Sequence, residues 1–137
     1  RLRGLGLDFS WRLDRWRFSG EYLAMRAERS DGDPADLRGG YVRAAYDVQE
    51  WLPLSWRKEA FPDARLSLVY EYDHVSVEDL TSLASLVARE RKHVLGLRYE
   101  PDHSWILKPN REWSDASNRT LVNGDSEGWI IGIGFVF

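Results

Sequence analysis

The sequence predicts an all-β chain folded as an antiparallel up-and-down sheet, and three observations carry that expectation. Apolar and polar residues alternate at a period of two over seven segments of strand length. Polar stretches bearing Gly, Asp or Pro separate the segments. Helical spacing occurs in only one short stretch, and no apolar run approaches the roughly 18 residues that a spanning helix needs.

The 137 residues suit one domain or a piece of one. The mean hydropathy of −0.49 argues against a helical membrane protein. It says nothing against a membrane barrel, whose polar lumen positions cancel its apolar ones in any average. The formal charge of −3, with both signs interspersed, leaves no electrostatic footprint for nucleic acid. The absence of Cys excludes a disulfide scaffold, a thiolate nucleophile and a Cys-ligated metal. No charged segment followed by an apolar one opens the chain, so a secretion signal is expected to have been removed or to lie upstream. The chain reads as N-terminally truncated.

The first strand runs from about Arg3 to Leu13, with Leu5, Leu7, Phe9, Trp11 and Leu13 on one face and Asp8, Ser10 and Arg12 on the other. After an Asp14-Arg15 turn, the second opposes Trp16, Phe18, Gly20, Tyr22 and Ala24 to Arg17, Ser19 and Glu21. A loop is expected from Glu28 to Gly39. The third strand then sets Val42, Ala44, Tyr46 and Val48 against Tyr41, Arg43 and Asp47. Pro53 and Pro62 mark Glu50–Asp63 as an irregular connection. The fourth strand opposes Leu66, Leu68, Tyr70 and Tyr72 to Arg65, Ser67, Glu71 and Asp73.

Between His74 and Lys92, Leu80, Leu83 and Val87 recur at helical spacing after Ser76 and Asp79, predicting a short capped helix inside a long loop. The fifth strand carries Leu95, Leu97 and Tyr99 against Val94, Arg98 and Glu100. A turn at Pro101–Ser104 leads to the sixth, with Trp105, Leu107 and Trp113 against Lys108, Asn110 and Glu112. Pro109 and Arg111 fall on its apolar face and fit the pattern worst. A polar loop from Ser114 to Gly128 precedes the seventh, where Trp129, Ile131, Ile133, Phe135 and Phe137 alternate with Gly132 and Gly134.

A soluble β-barrel would also alternate, with its apolar side chains pointing inward. Three features favour apolar side chains facing outward, into lipid. Charges stand in the middle of the strands on the polar face, at Glu21, Arg43, Asp47, Glu71, Arg98 and Lys108. Short turns interleave with long loops, as in membrane barrels, and only the Glu50–Asp63 connection breaks the rule, because parity puts it on the side of the short turns. If alternate strands run down and up, Trp11, Trp16, Tyr99, Trp105 and Phe137 gather at one interface and Tyr72, Trp113 and Trp129 at the other, as in aromatic girdles. The fold class expected is therefore an antiparallel transmembrane β-barrel, of which about seven strands are present.

The closing strand ending in Phe137, with Trp129, Ile131, Ile133 and Phe135 at alternate positions before it, resembles the C-terminal assembly signal of bacterial outer-membrane β-barrels. The segment from Leu95 to Trp113 is similar to the penultimate hairpin of porins. Gly39–Tyr46 and Leu66–Tyr72 are similar to strands of the phosphate-selective porin group. The resemblance covers about half of the chain. It implies the C-terminal portion of a Gram-negative outer-membrane porin, a passive channel for small hydrophilic solutes or ions. The partners it implies are outer-membrane lipid, the outer-membrane assembly machinery and, as one option, a homotrimer. Inward bases are matched by inward acids along the sequence, which gives no support to phosphate selectivity.

The candidate selectivity residues are Arg17, Glu21, Arg43, Asp47, Glu71, Arg98, Lys108 and Glu112, and each has the plainer reading of a cross-strand ion pair on a wet wall. Residues 77–91 are a candidate constricting loop, with a solvated external loop as the simpler expectation. No catalytic constellation, metal-ligand spacing or cofactor motif emerges, so no enzyme is expected. His74, His93 and His103 share no ligand spacing, and no nucleophile elbow is present. The competing readings are a self-contained small barrel with a structural or adhesive role, needing a strand hidden between Trp51 and Trp56, and a soluble ligand-binding barrel with Leu7, Phe9, Leu97 and Ile133 inside.

Overall fold

In the computed structural model, which describes residues 1–28, 34–53, 62–79, 86–102, 104–118 and 124–135, the chain is a seven-stranded antiparallel sheet with the strands in sequence order. They are β1 (Leu2–Leu13), β2 (Trp16–Ala27), β3 (Ala35–Asp47), β4 (Arg65–Asp79), β5 (Leu86–Glu100), β6 (Trp105–Asn118) and β7 (Gly124–Phe135). β1 and β7 form the edges, and the sheet is not closed. The β1–β2 hairpin turns through Asp14, whose φ of 50° is the left-handed conformation that two-residue hairpin loops demand and that Asp tolerates.

The register aligns the faces expected from the period across the sheet. One hydrogen-bonded row runs Trp11, Phe18, Ala44, Tyr70, Leu95, Arg111, Trp129. Another, on the opposite face, runs Ser10, Ser19, Arg43, Glu71, Val94, Glu112, Gly128. The apolar face is the open one: Trp129, Ile131 and Phe135 are 74%, 72% and 67% exposed. The polar face is sheltered over the middle strands, with Ser67 at 1% and Ala45 and Val94 at 7%, and open on β1 and on most of β7. Leu7, Phe9 and Ile133 are exposed and Leu97 is half-buried, the reverse of what a soluble barrel with these residues inside requires.

The apolar band crosses the hydrogen-bonded rows obliquely. Its upper limit is Leu5 on β1 and Trp129 on β7, yet the row through Trp129 meets β1 at Trp11, six residues further on. The row through Leu5 has already become Arg38, Ser76 and Arg89 by β3, β4 and β5. The lower limit drifts the same way, from Leu13 and Trp16 to Leu66 and Tyr99 and then to Trp105 and Phe135. A drift of about one residue per strand, at about 3.3 Å per residue and 4.8 Å between strands, inclines the strands by about 30–35° to the normal of the band.

Several expectations are corrected. No helix forms at 74–79 or 86–92: β4 runs through Asp79 and β5 starts at Leu86, with Val75 opposite Glu90 and Ser76 opposite Arg89. Leu80 and Leu83 lie outside the described residues. The loops expected at Glu28–Gly39 and Ser114–Gly128 shrink, because β3 begins at Ala35, β6 reaches Asn118 and β7 begins at Gly124. The expected contrast of long and short connections therefore fails. The longest connection, 48–64, shares an end of the sheet with the short turns.

That connection opens with a 3-10 helix, Gln49–Trp51, and no strand forms at 51–53; residues 54–56 are outside those described. The connection is tied to the sheet. Val48 N–H donates to Leu66 O at 2.9 Å, Gln49 Nε2 donates to Ala64 O at 2.9 Å, and Arg15 pairs with Glu50. The Glu50 carboxylate, by hydrogen bond and charge, holds the Arg15 guanidinium even more firmly protonated than usual. Val48, Leu52, Ala64 and Pro101 are buried at this end, a small apolar cluster.

Candidate functional site in the polar face of the sheet

Six of the eight candidate selectivity residues, Arg17, Arg43, Glu71, Arg98, Lys108 and Glu112, line one trough of about 450 Å³ on the sheltered face. They converge because they occupy positions of one face on five successive strands, β2 to β6, with Lys108 and Glu112 sharing β6, and because Ala45 and Val69 between them, with Gly96 paired to Val69, keep the floor low across the middle strands. Gly96 is required there: a Cβ would lie 1.9 Å from Asn110 Oδ1 and 2.8 Å from Pro109 O.

The charges are partly paired. Arg43 bonds Glu71 directly across β3 and β4, and Arg98 bonds Glu100 on its own strand. Arg17 Nη2 donates to Ser67 Oγ at 2.7 Å, its only polar partner among the described residues. Arg12 and Lys108 have no acid within ion-pair distance among the described residues.

The trough is lined by Arg12, Arg17, Arg43, Lys92, Arg98 and Lys108 against Glu71 and Glu112. Signs that alternate along the sequence are thus sorted in space, with a basic excess in the trough. Asp47 stands apart from the trough and accepts the Gln49 N–H at 3.0 Å, a local role in starting the 3-10 helix. Glu21 lines a second cavity, nearer the end of the sheet where residues 28–34 and 80–85 connect the strands.

The sequence missed Ser67, Lys92 and Asn110 as members of the site. Lys92 was hidden by the expected loop; it sits on β5 with Nζ 3.2 Å from Asp73 Oδ2. Ser67 carries no sequence signal beyond its inward parity.

On the opposite face the aromatics form two clusters. Trp16 touches Phe18 and Tyr46, with ring centroids 5.7 and 4.8 Å away, and Tyr99 meets Trp105 edge-on at 6.4 Å. Toward the other end His93 packs on Tyr72 at 5.0 Å and on Trp113 at 6.2 Å, and receives or gives a hydrogen bond with Tyr70. Arg111, the misfit of the apolar face, pairs with Glu127 and lies 5.9 Å from the Trp129 ring centroid, at the edge of the band and not within it. Pro109 leaves a gap in the ladder: Gly96 pairs with Asn110 and Tyr99 with Leu107, with no pairing between.

Trp129, Ile131, Ile133 and Phe135 alternate outward on β7; Phe137 and His103 are outside the described residues. His74 and His93 lie on the outward face, and no group of His, Asp and Glu suited to a metal ion occurs among the described residues. No protein-family model matches the chain, and no curated protein is significantly similar to it.

Proposed function

We propose that the chain is wall of a bacterial outer-membrane porin, a passive water-filled channel for small hydrophilic solutes or ions. The oblique apolar band is the observation that carries this reading. A band inclined by about 30–35° to the strands is close to the 35–45° tilt of membrane barrels. From Leu5 to Leu13 the band runs about 27 Å along β1, or about 22 Å along its normal, against an apolar belt about 25 Å tall in such barrels. Aromatic clusters near both edges of the band, and its sharp charged margin at Arg38, Arg89 and Glu127, agree with two interfaces.

β1 and β7 run in the same direction, so an all-antiparallel barrel closes only with an odd number of further strands. The trough then faces the lumen, where its basic excess concentrates anions and repels cations. The channel residues are Arg12, Arg17, Arg43, Arg98 and Lys108, with Glu71 and Glu112 keeping the wall from carrying one sign throughout. The bound partners in this reading are lipid on one face and permeant solute on the other, in the outer membrane.

Planar-bilayer recording of the protein tests the proposal. Discrete conductance steps with an anion preference are expected, and Arg17→Glu with Lys108→Glu is expected to shift the reversal potential toward cations. A membrane-inserted protein without conductance would overturn the channel in favour of a filled barrel.

A further inference from the structure

Beyond the apolar band the two faces exchange polarity. Toward the end of the sheet where residues 28–34 and 80–85 connect the strands, the outward positions become Arg26, Asp36, Arg38, Ser76 and Arg89, while the inward ones become Leu23, Met25, Leu37, Val75 and Val77. A lipid-facing wall needs no apolar inner surface at that level. The inversion creates a second cavity of about 420 Å³, within the range of small-molecule sites. Leu23, Leu37, Tyr41 and Val75 supply its apolar lining. Gly39 adds no side chain to its lining; a Cβ there would make an ordinary contact with Val75 Cγ2 at 3.5 Å and lie 3.2 Å from His74 O, so a larger side chain would enter the cavity.

The polar groups at its rim are mostly acids. Glu21, Asp73 and Glu90 face it together with Lys92, and Lys92 is engaged with Asp73 at 3.2 Å. Glu21 and Glu90 have no ion pair among the described residues. Glu21 also stands directly opposite Asp8 across β1 and β2, a like-charge cross-strand pair that disfavours the sheet unless a cation sits near it. Arg43, the nearest base on β3, is held by Glu71 and lies over the Tyr41 ring, 5.4 Å from its centroid.

We propose that this cavity binds an organic cation: an ammonium group on an apolar, preferably aromatic, body of about ten heavy atoms. The body takes the Leu23, Leu37 and Val75 surface, and the ammonium takes the Glu21 carboxylate beside Asp8, with Glu90 across the cavity, three strands away, adding to the negative field. The basic trough lies beyond it on the same face, so the cation is retained at the mouth and not carried onward. The inference goes beyond the channel reading and needs only the folded sheet.

The test uses the folded chain in amphipol and three probes that share one phenyl body: phenethylammonium, phenethyl alcohol and 3-phenylpropionate, with binding followed by calorimetry or saturation-transfer NMR. The ammonium is expected to bind most tightly and the carboxylate least. Glu21→Gln with Glu90→Gln, exposed changes that leave the backbone untouched, is expected to weaken the ammonium by roughly fivefold, from one solvent-screened ion pair and the field of the second carboxylate, and to leave the alcohol unchanged. Gly39→Leu fills the cavity and is expected to weaken both. Equal binding of all three probes, no saturable binding, or ammonium affinity unmoved by the double Gln variant would each overturn the site. None of these outcomes alters the conductance by which the channel stands or falls.

Discussion

Gly20 shows how closely single residues are fixed in this sheet. It lies on the apolar face beneath the Phe9 ring, and a Cβ there would sit 2.4 Å from the ring and 2.8 Å from Tyr41 O. The ring can turn aside, but the carbonyl belongs to the β2–β3 ladder and cannot. Gly20→Ala is therefore expected to destabilise the sheet by about 1–3 kcal/mol, read as a lower urea midpoint of the protein in lipid vesicles. The sequence showed Gly20 as an apolar-face position but gave no sign of the contact, because overlap of a ring with the next strand depends on register. Ser67 was illegible for the same reason. Its parity placed it inward, while its almost complete burial and its bond to Arg17 come from β4 being paired on both sides.

At the scale of elements, strand number and facing were legible and strand ends were not. Within the band the apolar positions keep one parity, so Leu5 to Leu13, Trp16 to Ala24 and Trp129 to Phe135 read without ambiguity. Past the band the parity reverses, and a reader following outward apolar residues loses the strand. Val75 and Val77 continue β4 on its inner face, whereas the spacing of Leu80, Leu83 and Val87 imitates a helix. Residues 35–39, 114–118 and 124–128 carry no apolar residue at their outward positions, so the period does not mark them as strand.

Pairing between elements has its own test in Arg43 and Glu71, which face each other across β3 and β4. Arg43→Glu alone sets two carboxylates opposite each other on a sheltered face and is expected to lower stability by about 1 kcal/mol or more. Exchanging the two residues is expected to recover most of the loss. A double-mutant cycle by urea unfolding measures the coupling, and an exchange no better than the single variant would deny the pair any role in register.

At the scale of the molecule, the oblique band makes a prediction that neighbouring strands cannot make alone. Trp11 and Trp129 share a hydrogen-bonded row, yet the band places Trp129 level with Leu5. With no native Cys, single Cys variants at positions 5, 11 and 129 can each carry a nitroxide. Depth measured against lipid-soluble relaxants is expected to be equal at 5 and 129. Position 11 should lie about 16 Å from them along the normal, six residues along an inclined strand, which brings it toward the opposite edge of the band and only about 6 Å nearer the midplane. Equal depths at 11 and 129 would mean rows parallel to the membrane, and the tilt would be wrong.

The odd number of traverses also separates the chain's two ends. β1 starts, and β7 finishes, at opposite rims of the sheet. In a membrane those rims face different compartments. Of two protease-cleavable epitopes, one set before Leu2 and one beyond Phe135, a single one should be shaved from intact cells, while the other survives until the envelope is breached. An even number of crossings would expose both epitopes or neither.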